Sequence, residues 1–324
     1  MLKGWTPSLR VWHSVRGRDE ERMRTEIPKP QYWMFATADY LCRLFPRRFC
    51  YAVGMRIADA FYRSDIRARK AVRANLKRVS DFAGWNWSDR ELQGKVQEVF
   101  RGFSKYLVDF FTFSKLTRME VEELLDRAAR ERLELLRNLK RGALLVTGHI
   151  GNWELGGAVL AAQGYPITAV AQLHGVKKVD NLFLSYRRKR GMKVVPLGLM
   201  VVRHLIEVLR RGEFVALLAD RDYTPRHQPV DFFGAPACLP RGPAWLASHY
   251  QVPVVAGFLL REKDDRFTFR LYPPLNESGD MSEEAIHFRI RDILQEAIMD
   301  APTQWFMFEN LWEGNPYGSG YFTA

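Results

Sequence analysis

The chain has 324 residues, 47% of them hydrophobic, which is enough apolar material for one large or two ordinary domains with a buried core. Lys and Arg exceed Asp and Glu by 49 to 37, and the formal net charge of +12 favours anionic partners such as phospholipid headgroups, acidic carrier proteins or nucleic acid. Three cysteines without metal-ligand spacing argue against a disulfide-built secreted scaffold and favour a reducing compartment.

Residues 1–30 are polar and rich in arginine. Because no apolar block follows their first charges, we expect a basic N-terminal arm and not a secretory signal. Nowhere does the sequence offer the roughly 20 consecutive apolar residues that a membrane-spanning helix needs. Any contact with a membrane is therefore expected to be peripheral.

Aromatic residues and arginines are interspersed over residues 31–63, which we interpret as two amphipathic helices separated by Pro46. Rings beside cations suit the headgroup layer of a membrane, because the rings enter the apolar boundary while the cations meet lipid phosphates. Ordinary helix packing with a solvated basic face is the alternative.

Ser88 and Glu91 form a capping box before a long helix, and Thr117 repeats the start signal. Residues 31–136 are thus predicted to form a helical layer.

The most informative stretch is a short apolar run, Ala143 to Thr147, that is followed by a histidine between two glycines. The run has the length of a buried strand, and the glycines around His149 predict a loop. Asn152 is the predicted N-cap of a helix whose first turn holds Glu154. We expect Glu154 to reach back to His149, because a carboxylate that touches an imidazole fixes its tautomer for general-base chemistry. A helix-capping glutamate beside a structural histidine is the alternative.

Strands and helices alternate after this loop. Strands are predicted at 167–172, 193–195, 214–219, 253–260 and 267–272, and helices at 176–190, at 201–211 and after Ser282. This alternation predicts an α/β fold with a mostly parallel central sheet flanked by helices. Its functional site is expected at the carboxyl ends of the strands, where His149, Asp220 and Asp222 fall. We divide the chain into the arm and one domain, 31–324, with the helical layer at 31–136 and the α/β core at 137–313.

Four ordered elements of the sequence resemble the bacterial lauroyl/myristoyl acyltransferase family of the lipid A biosynthesis type, which belongs to the lysophospholipid acyltransferase superfamily. The resemblance covers about residues 30 to 313. The elements are His149 to Glu154, which matches H-x-x-x-x-D/E; Leu217 to Asp222, which matches L-x-x-D-Q-D with Arg221 in place of Gln; Phe232-Phe233-Gly234; and Gly242 to Ala247.

Two departures from the family pattern bear on the substrate. Gln172 stands where the family commonly has an arginine after the second strand. The element from Trp305 to Trp312 keeps its aromatic residues but lacks the usual basic residues between them. These two departures leave the exact acceptor open.

The resemblance implies transfer of a fatty acyl chain from a thioester, on acyl carrier protein or coenzyme A, to a hydroxyl of a membrane glycolipid of the lipid A precursor type. It implies His149 as the base with Glu154 as its partner, no metal or cofactor, and a peripheral location on an anionic membrane surface, the cytoplasmic face of the cell inner membrane. The candidates for substrate binding are Asn152, Arg187, Asp220, Arg221, Asp222, Phe232, Phe233 and Gly234. Among these, the residue chemistry alone favours a structural role for Asp222.

Other functions stay open at this point. One is acylation of a lysophospholipid or of a phosphoinositide glycolipid, which the His149 and Glu154 pair does not distinguish from the first. A different class is a non-catalytic protein that binds membranes or nucleic acid, since basic charge and aromatic residues also describe single-strand binders. No recognisable DNA or RNA motif accompanies them, so we expect no nucleic-acid partner.

Overall fold

A mixed sheet lies at the centre of the computed structural model, which describes residues 30–113, 118–171, 177–198, 200–222, 229–276 and 281–312. The strands are β1 (Ala143–Thr147), β2 (Ile167–Ala171), β3 (Lys193–Pro196), β4 (Phe214–Leu218), β5 (Val230–Phe232), β6 (Ala235–Ala237), β7 (Val254–Arg261) and β8 (Phe267–Leu271). Six of them pair in the order β3-β2-β4-β1-β7-β8, and β5 pairs with β6 separately. Within the large sheet only β7 and β8 run antiparallel, so the predicted mostly parallel sheet is confirmed.

Helices precede the sheet and connect its strands. They are α1 (Pro30–Leu44), α2 (Arg47–Ser64), α3 (Ile66–Phe82), α4 (Asp89–Thr112), α5 (Arg118–Glu123), α6 (Arg127–Asn138), α7 (Trp153–Ala162), α8 (Lys177–Lys189), α9 (Val201–Arg210), α10 (Gly242–Tyr250) and α11 (Glu283–Asp300). A short 3-10 helix, Pro302–Gln304, follows α11. Among the described residues, no helix combines the length and the apolar content that a bilayer crossing requires.

The central strand β1 is buried on both faces, as its continuous apolar sequence predicts. Leu144 and Val146 pack with side chains of α9, α10 and α11 on one face. Ala143 and Leu145 point to the other face and pack with α6 and α7. The sheet is therefore flanked by helices on both sides, and its carboxyl-terminal edge is the place where loops emerge between the two layers.

Local sequence signals explain several helix starts. Ser88 and Glu91 form the predicted capping box at the start of α4, and Ser282 accepts a hydrogen bond from the backbone N–H of Ala285 at the start of α11. Pro46 separates α1 from α2, as predicted. The predicted start signal at Thr117 lies outside the described residues.

Helix α4 is the centre of the helical layer. Its first half packs against α2 and α3, and its second half, with Phe110 and Phe111, packs against α1 and α8. Tyr106 of the same helix meets Phe306, and Phe100 meets Phe308, near the C-terminal end of the described chain. This helix thus joins the layer to the sheet.

One element differs from the sequence prediction, which gave a long loop from Asp220 to Pro240. Residues 230–237 form the β5–β6 hairpin, in which Phe232 pairs with Ala235. The two turn residues, Phe233 and Gly234, have φ of 52° and 71°, the backbone that a tight two-residue hairpin turn needs. A phenylalanine disfavours this conformation, and burial of its ring at 1% exposure offsets the cost.

Gly151 is a position where the fold excludes a side chain. Its φ is +63°, and a Cβ there would lie 2.2 Å from the carbonyl oxygen of Leu259. Gly164 has a similar φ of +86°, but nothing lies within 4 Å of its added Cβ. A comparison of alanine substitutions at these two glycines therefore separates the cost of the backbone conformation, which both share, from the cost of the steric clash, which only Gly151 has.

We expect Gly151→Ala to lower the free energy of unfolding by at least about 2 kcal/mol more than Gly164→Ala does. Both substitutions cost the left-handed conformation, about 1–2 kcal/mol, and only the first forces two backbone segments apart. Urea denaturation of the two variants measures the difference. Equal losses of stability would show that the loop yields without cost.

Candidate active site

His149 lies on the loop between β1 and α7, at the carboxyl end of the central strand. Its side chain is 19% exposed, so the ring is accessible from one side only. Trp153, the first residue of α7, meets the imidazole ring edge to face with 5.1 Å between the ring centroids. The loop places a titratable ring at the surface of an otherwise packed sheet edge.

Asp220 is the carboxylate that holds His149. It follows β4, the neighbour of β1, and the backbone N–H of Ala219 donates to the carbonyl of Thr147 at 2.8 Å. Oδ1 of Asp220 lies 2.9 Å from Nδ1 of His149, and Oδ2 accepts from the backbone N–H of His149 at 2.8 Å. Trp305 donates its indole N–H to the same Oδ2 at 3.1 Å. Two adjacent parallel strands therefore build the pair, as the topology predicts.

The Asp220 side chain is fully buried, and burial alone would favour its neutral form. The charge of His149 and the hydrogen bonds from His149 and Trp305 act in the opposite direction and outweigh burial, so they hold the pKa of the Asp220 carboxyl below its ordinary value. An ionised carboxylate accepts hydrogen bonds only. We therefore expect the proton between the two side chains on Nδ1, which leaves on Nε2 the lone pair that a general base uses.

Glu154 does not contact His149, and our expectation of a direct His149–Glu154 pair is corrected. The guanidinium of Arg187 binds both oxygens of Glu154, with Nε at 3.1 and 3.0 Å from Oε1 and Oε2 and Nη2 on Oε1 as well. The position of Glu154 in the first turn of α7 is as predicted, but the turn directs its side chain towards α8. Its catalytic role stays a prediction.

The Glu154–Arg187 ion pair is almost enclosed, with side-chain exposures of 6% and 13%. Burial opposes the charge of Arg187, but the attraction and hydrogen bonds of Glu154 prevail and raise the pKa of the guanidinium. Tyr106 stacks on Trp153 at 4.3 Å between centroids, and burial followed by the Glu154 charge raises the pKa of its hydroxyl. The pair thus lies under an aromatic layer that extends to His149.

Of the other predicted substrate-binding residues, Asn152 and Asp222 are buried and Arg221 is partly exposed. Asn152 caps α7 by accepting from the backbone N–H of Leu155 at 3.0 Å, and its amide lies 3.2 Å from the buried carboxylate of Asp109. Arg221 forms an ion pair with Glu309, and Asp222 is 7% exposed. Contact of these side chains with substrate stays a prediction.

Phe232 and Phe233, predicted to close an acyl groove, are 0% and 1% exposed. Their rings pack against those of Trp305 and Trp312, with centroid separations of 6.1 to 6.5 Å. Gly234 forms the hairpin turn beside them. In this structure the hairpin therefore supports the aromatic core behind Asp220, and a role in substrate binding stays a prediction.

Comparison with known proteins decides the family. Residues 20–313 match the family described as bacterial lipid A biosynthesis acyltransferase. The chain belongs to this family.

Relatives act on different glycolipids, according to their names. The chain is 28% identical over 285 residues to a phosphatidylinositol mannoside acyltransferase of Mycolicibacterium smegmatis. The matched region is 86% of this chain and 90% of the relative. It is 29% identical over 216 residues to the corresponding protein of Mycobacterium tuberculosis strain H37Rv, or 65% and 67% of the two chains. It is 23% identical over 238 residues to a lipid A biosynthesis palmitoleoyltransferase of Escherichia coli K12, or 71% and 75%. The protein is thus an acyltransferase with relatives that act on glycolipids.

Sequence reasoning about this acyltransferase did not find the role of the chain after α11. Its aromatic residues were noticed, but Trp305 lies 85 residues from Asp220, and nothing local indicates that its indole reaches this carboxylate. A second missed feature is Arg261, which binds Asp109 in the interior and lies 2.9 Å from the hydroxyl of Tyr51. The only local signal for it is a cation at the end of an apolar strand.

Metal ligation has no candidate among the described residues, where no three His, Cys, Asp or Glu side chains are placed to share an ion. His287 of α11 is buried, and neither of its ring nitrogens has a hydrogen-bond partner within the described ranges. Burial, followed by the charge of Arg241, lowers the pKa of its imidazole. A neutral structural histidine fits these surroundings.

The Glu154–Arg187 pair of the acyltransferase yields a stability prediction. We expect Arg187→Leu to destabilise the fold by about 3 kcal/mol, because it leaves the Glu154 carboxylate buried without its cation. Adding Glu154→Gln should recover at least about 1.5 kcal/mol of that loss. Chemical denaturation of the two single variants and the double variant gives the coupling energy.

The matched control is the Arg127–Glu131 pair on α6, whose side chains are 92% and 60% exposed. Its coupling should be below about 0.5 kcal/mol, since water screens both charges. Indistinguishable couplings for the buried and exposed pairs would contradict the prediction.

Proposed function

We propose that this acyltransferase moves a fatty acyl chain from a thioester, on acyl carrier protein or coenzyme A, to a hydroxyl of a membrane glycolipid. The observation that carries the proposal is the 2.9 Å contact between His149 Nδ1 and Asp220 Oδ1, at the H-x-x-x-x-E loop of an acyltransferase family member. The pair orients an imidazole whose Nε2 can accept a proton. No Ser or Cys is needed as an intermediate carrier, because the acceptor supplies the attacking oxygen.

The reaction proceeds by direct transfer. Nε2 of His149 removes the proton from the acceptor hydroxyl as its oxygen attacks the thioester carbonyl, and the Asp220 carboxylate stabilises the imidazolium that forms. The tetrahedral intermediate then expels the thiolate, which takes the proton from the imidazolium. The products are an ester on the glycolipid and a free thiol, and the enzyme returns to its starting protonation state.

Glu154 acts in this scheme through Arg187 and not through His149. The ion pair ties the first turn of α7 to α8, and Trp153 of that turn contacts the imidazole. Loss of either charge would therefore displace the wall of the site beside the base. Glu154 already balances the charge of the Arg187 guanidinium. A lipid phosphate that bound Arg187 would therefore share this guanidinium with Glu154.

Two glycolipid classes compete as the acceptor. The names of the relatives include mannosides of phosphatidylinositol and lipid A, and both carry sugar hydroxyls and phosphate on a lipid anchor. The excess of Lys and Arg suits either anionic lipid. Parallel assays with a phosphatidylinositol mannoside and a lipid A precursor separate them, because the acceptor that gains the mass of one acyl chain is the substrate.

We expect His149→Ala and Asp220→Asn each to lower kcat by at least about 100-fold, because the first removes the base and the second removes the charge that orients it. Product formation is measured by mass spectrometry with acyl carrier protein and coenzyme A thioesters as donors. His204→Ala, a change of an exposed histidine on α9, is the control and should keep wild-type turnover. Wild-type activity of His149→Ala would overturn the proposal.

The N-terminal helices provide the proposed membrane-binding face. Large apolar side chains are exposed here, and those of α2 recur every four residues on one side of the helix. They are Trp33, Met34, Tyr40, Leu41, Leu44, Phe45, Phe49, Val53, Ile57 and Phe61. Exposed arginines at positions 48, 56 and 63 lie on the same helix. Exposed rings supported by cations fit peripheral attachment to an anionic bilayer, which we assign to the cytoplasmic face of the inner membrane.

Replacing Phe49, Ile57 and Phe61 by Ser should reduce flotation with anionic liposomes at least about tenfold, because each change removes buried apolar area at the lipid boundary. High salt should weaken the binding of the wild type without abolishing it. The control is Leu135→Ser with Leu139→Ser, two exposed apolar residues on α6 and at its C-cap. Equal flotation of both variants and the wild type would place the anchor elsewhere.

A further inference from the structure

Trp305 makes a direct hydrogen bond to the carboxylate that orients His149. Its side chain is 1% exposed, and its indole Nε1 lies 3.1 Å from Oδ2 of Asp220. The same oxygen accepts from the backbone N–H of His149, while Oδ1 faces Nδ1 of the ring. Each oxygen of the carboxylate is thus engaged from a defined direction.

The chain on both sides of Trp305 is fastened to the His149 loop. The carbonyl of Gln304 accepts from the N–H of Gly151 at 2.9 Å, and the N–H of Phe306 donates to the carbonyl of His149 at 2.8 Å. The side-chain amide of Gln304 is itself paired with the backbone of Arg261 at 2.8 and 2.9 Å. The indole therefore has a fixed position relative to the base.

Aromatic packing fixes the orientation of the indole ring as well. Trp305 contacts Phe232, Phe233 and Trp312 with centroid separations of 6.3 to 6.5 Å. A rotation that broke the bond to Asp220 would leave a buried N–H donor without an acceptor, which costs more than the bond contributes. Through Phe232 and Phe233, the β5–β6 hairpin therefore holds the Trp305 indole in place.

We infer that Trp305 is a positioning residue for acyl transfer, whose indole N–H fixes Oδ2 of Asp220 so that Oδ1 stays directed at the base. This inference rests on the proposed function. The indole N–H also affects the charge of the carboxylate. A hydrogen bond to Oδ2 stabilises negative charge on that oxygen and leaves less negative charge on Oδ1, which faces the imidazole.

The groups that face the Asp220 carboxylate are His149 and Trp305, whose charge and hydrogen bonds offset its burial. Arg221, the next residue, is directed into its ion pair with Glu309. Without the indole donor, the carboxylate would hold the protonated imidazole more strongly and orient the neutral ring less well. Because the neutral ring is less well oriented, it would accept the proton of the substrate hydroxyl more slowly. Because the imidazolium is held more strongly, a higher pH would be needed to deprotonate it.

The test compares two Trp→Phe changes in one aromatic cluster. Trp305→Phe removes the N–H on Asp220, whereas Trp312→Phe removes a buried indole N–H that has no hydrogen-bond partner within the described ranges. Both changes remove the same side-chain volume from one aromatic cluster, in which Trp305 is buried and Trp312 is partly exposed. Acyl transfer by the full-length proteins is measured over pH with the donor and acceptor on which the wild type turns over.

For Trp305→Phe we expect kcat to fall about tenfold, the KM values to change less than about twofold, and the acidic limb of kcat/KM to move up by about half a pH unit. Trp312→Phe should leave kcat within about twofold of the wild type and the limb in place. Matching profiles of the two folded variants would overturn the inference. A wild type that acylates neither glycolipid would instead refute the proposed function.

Should Trp305→Phe fail to fold, benzothienylalanine incorporated at position 305 replaces the indole N–H by sulfur with nearly the same shape. The same fall in kcat and the same movement of the limb would support the positioning role. Wild-type kinetics of this protein would show that Trp305 contributes packing alone.

Discussion

The hydrogen bond between His149 Nδ1 and Asp220 Oδ1 is the interaction on which the site depends. It requires two adjacent parallel strands to end at the same level, because His149 follows β1 and Asp220 follows β4. The register that pairs Thr147 with Leu218 meets this requirement. The sheet thus brings a histidine and a carboxylate together from distant parts of the chain.

Charge compensation explains how the interior holds two carboxylates, Asp220 and Glu154. Asp220 is compensated by His149 and by neutral donors, while Glu154 is compensated by Arg187. An uncompensated Glu154 in the same interior would carry a large desolvation cost. The two carboxylates thus have different partners: Asp220 contacts the His149 imidazole, and Glu154 ties α7 to α8 through Arg187.

Much of this architecture could be predicted from local sequence. The strand from Ala143 to Thr147, the Asn152 cap and the capping box at Ser88 depend on neighbouring residues only, and all three are confirmed. The rule that functional residues gather at the carboxyl ends of parallel strands predicted that His149 and Asp220 lie at the same edge of the sheet, but their direct contact was not predicted.

The choice of partners could not be predicted in this way. Glu154 is five positions from His149, yet it binds Arg187, 33 residues away, because the first turn of α7 directs it there. The hairpin turn at Phe233 breaks the usual preference for φ below zero, and burial in a distant aromatic cluster is what permits it. Such outcomes depend on tertiary packing, which sequence spacing does not encode.

Nuclear magnetic resonance of the protein labelled with nitrogen-15 in its histidines tests the assignment of His149 to Asp220 most directly. Above the pH at which the ring is protonated, His149 should be the Nδ1–H tautomer, with a proton on Nδ1 and an unprotonated Nε2. Asp220→Asn should shift the Nδ1 resonance or change the tautomer, whereas Glu154→Gln should leave both nitrogens nearly unchanged. A ring that responds to Glu154→Gln and ignores Asp220→Asn would contradict the account.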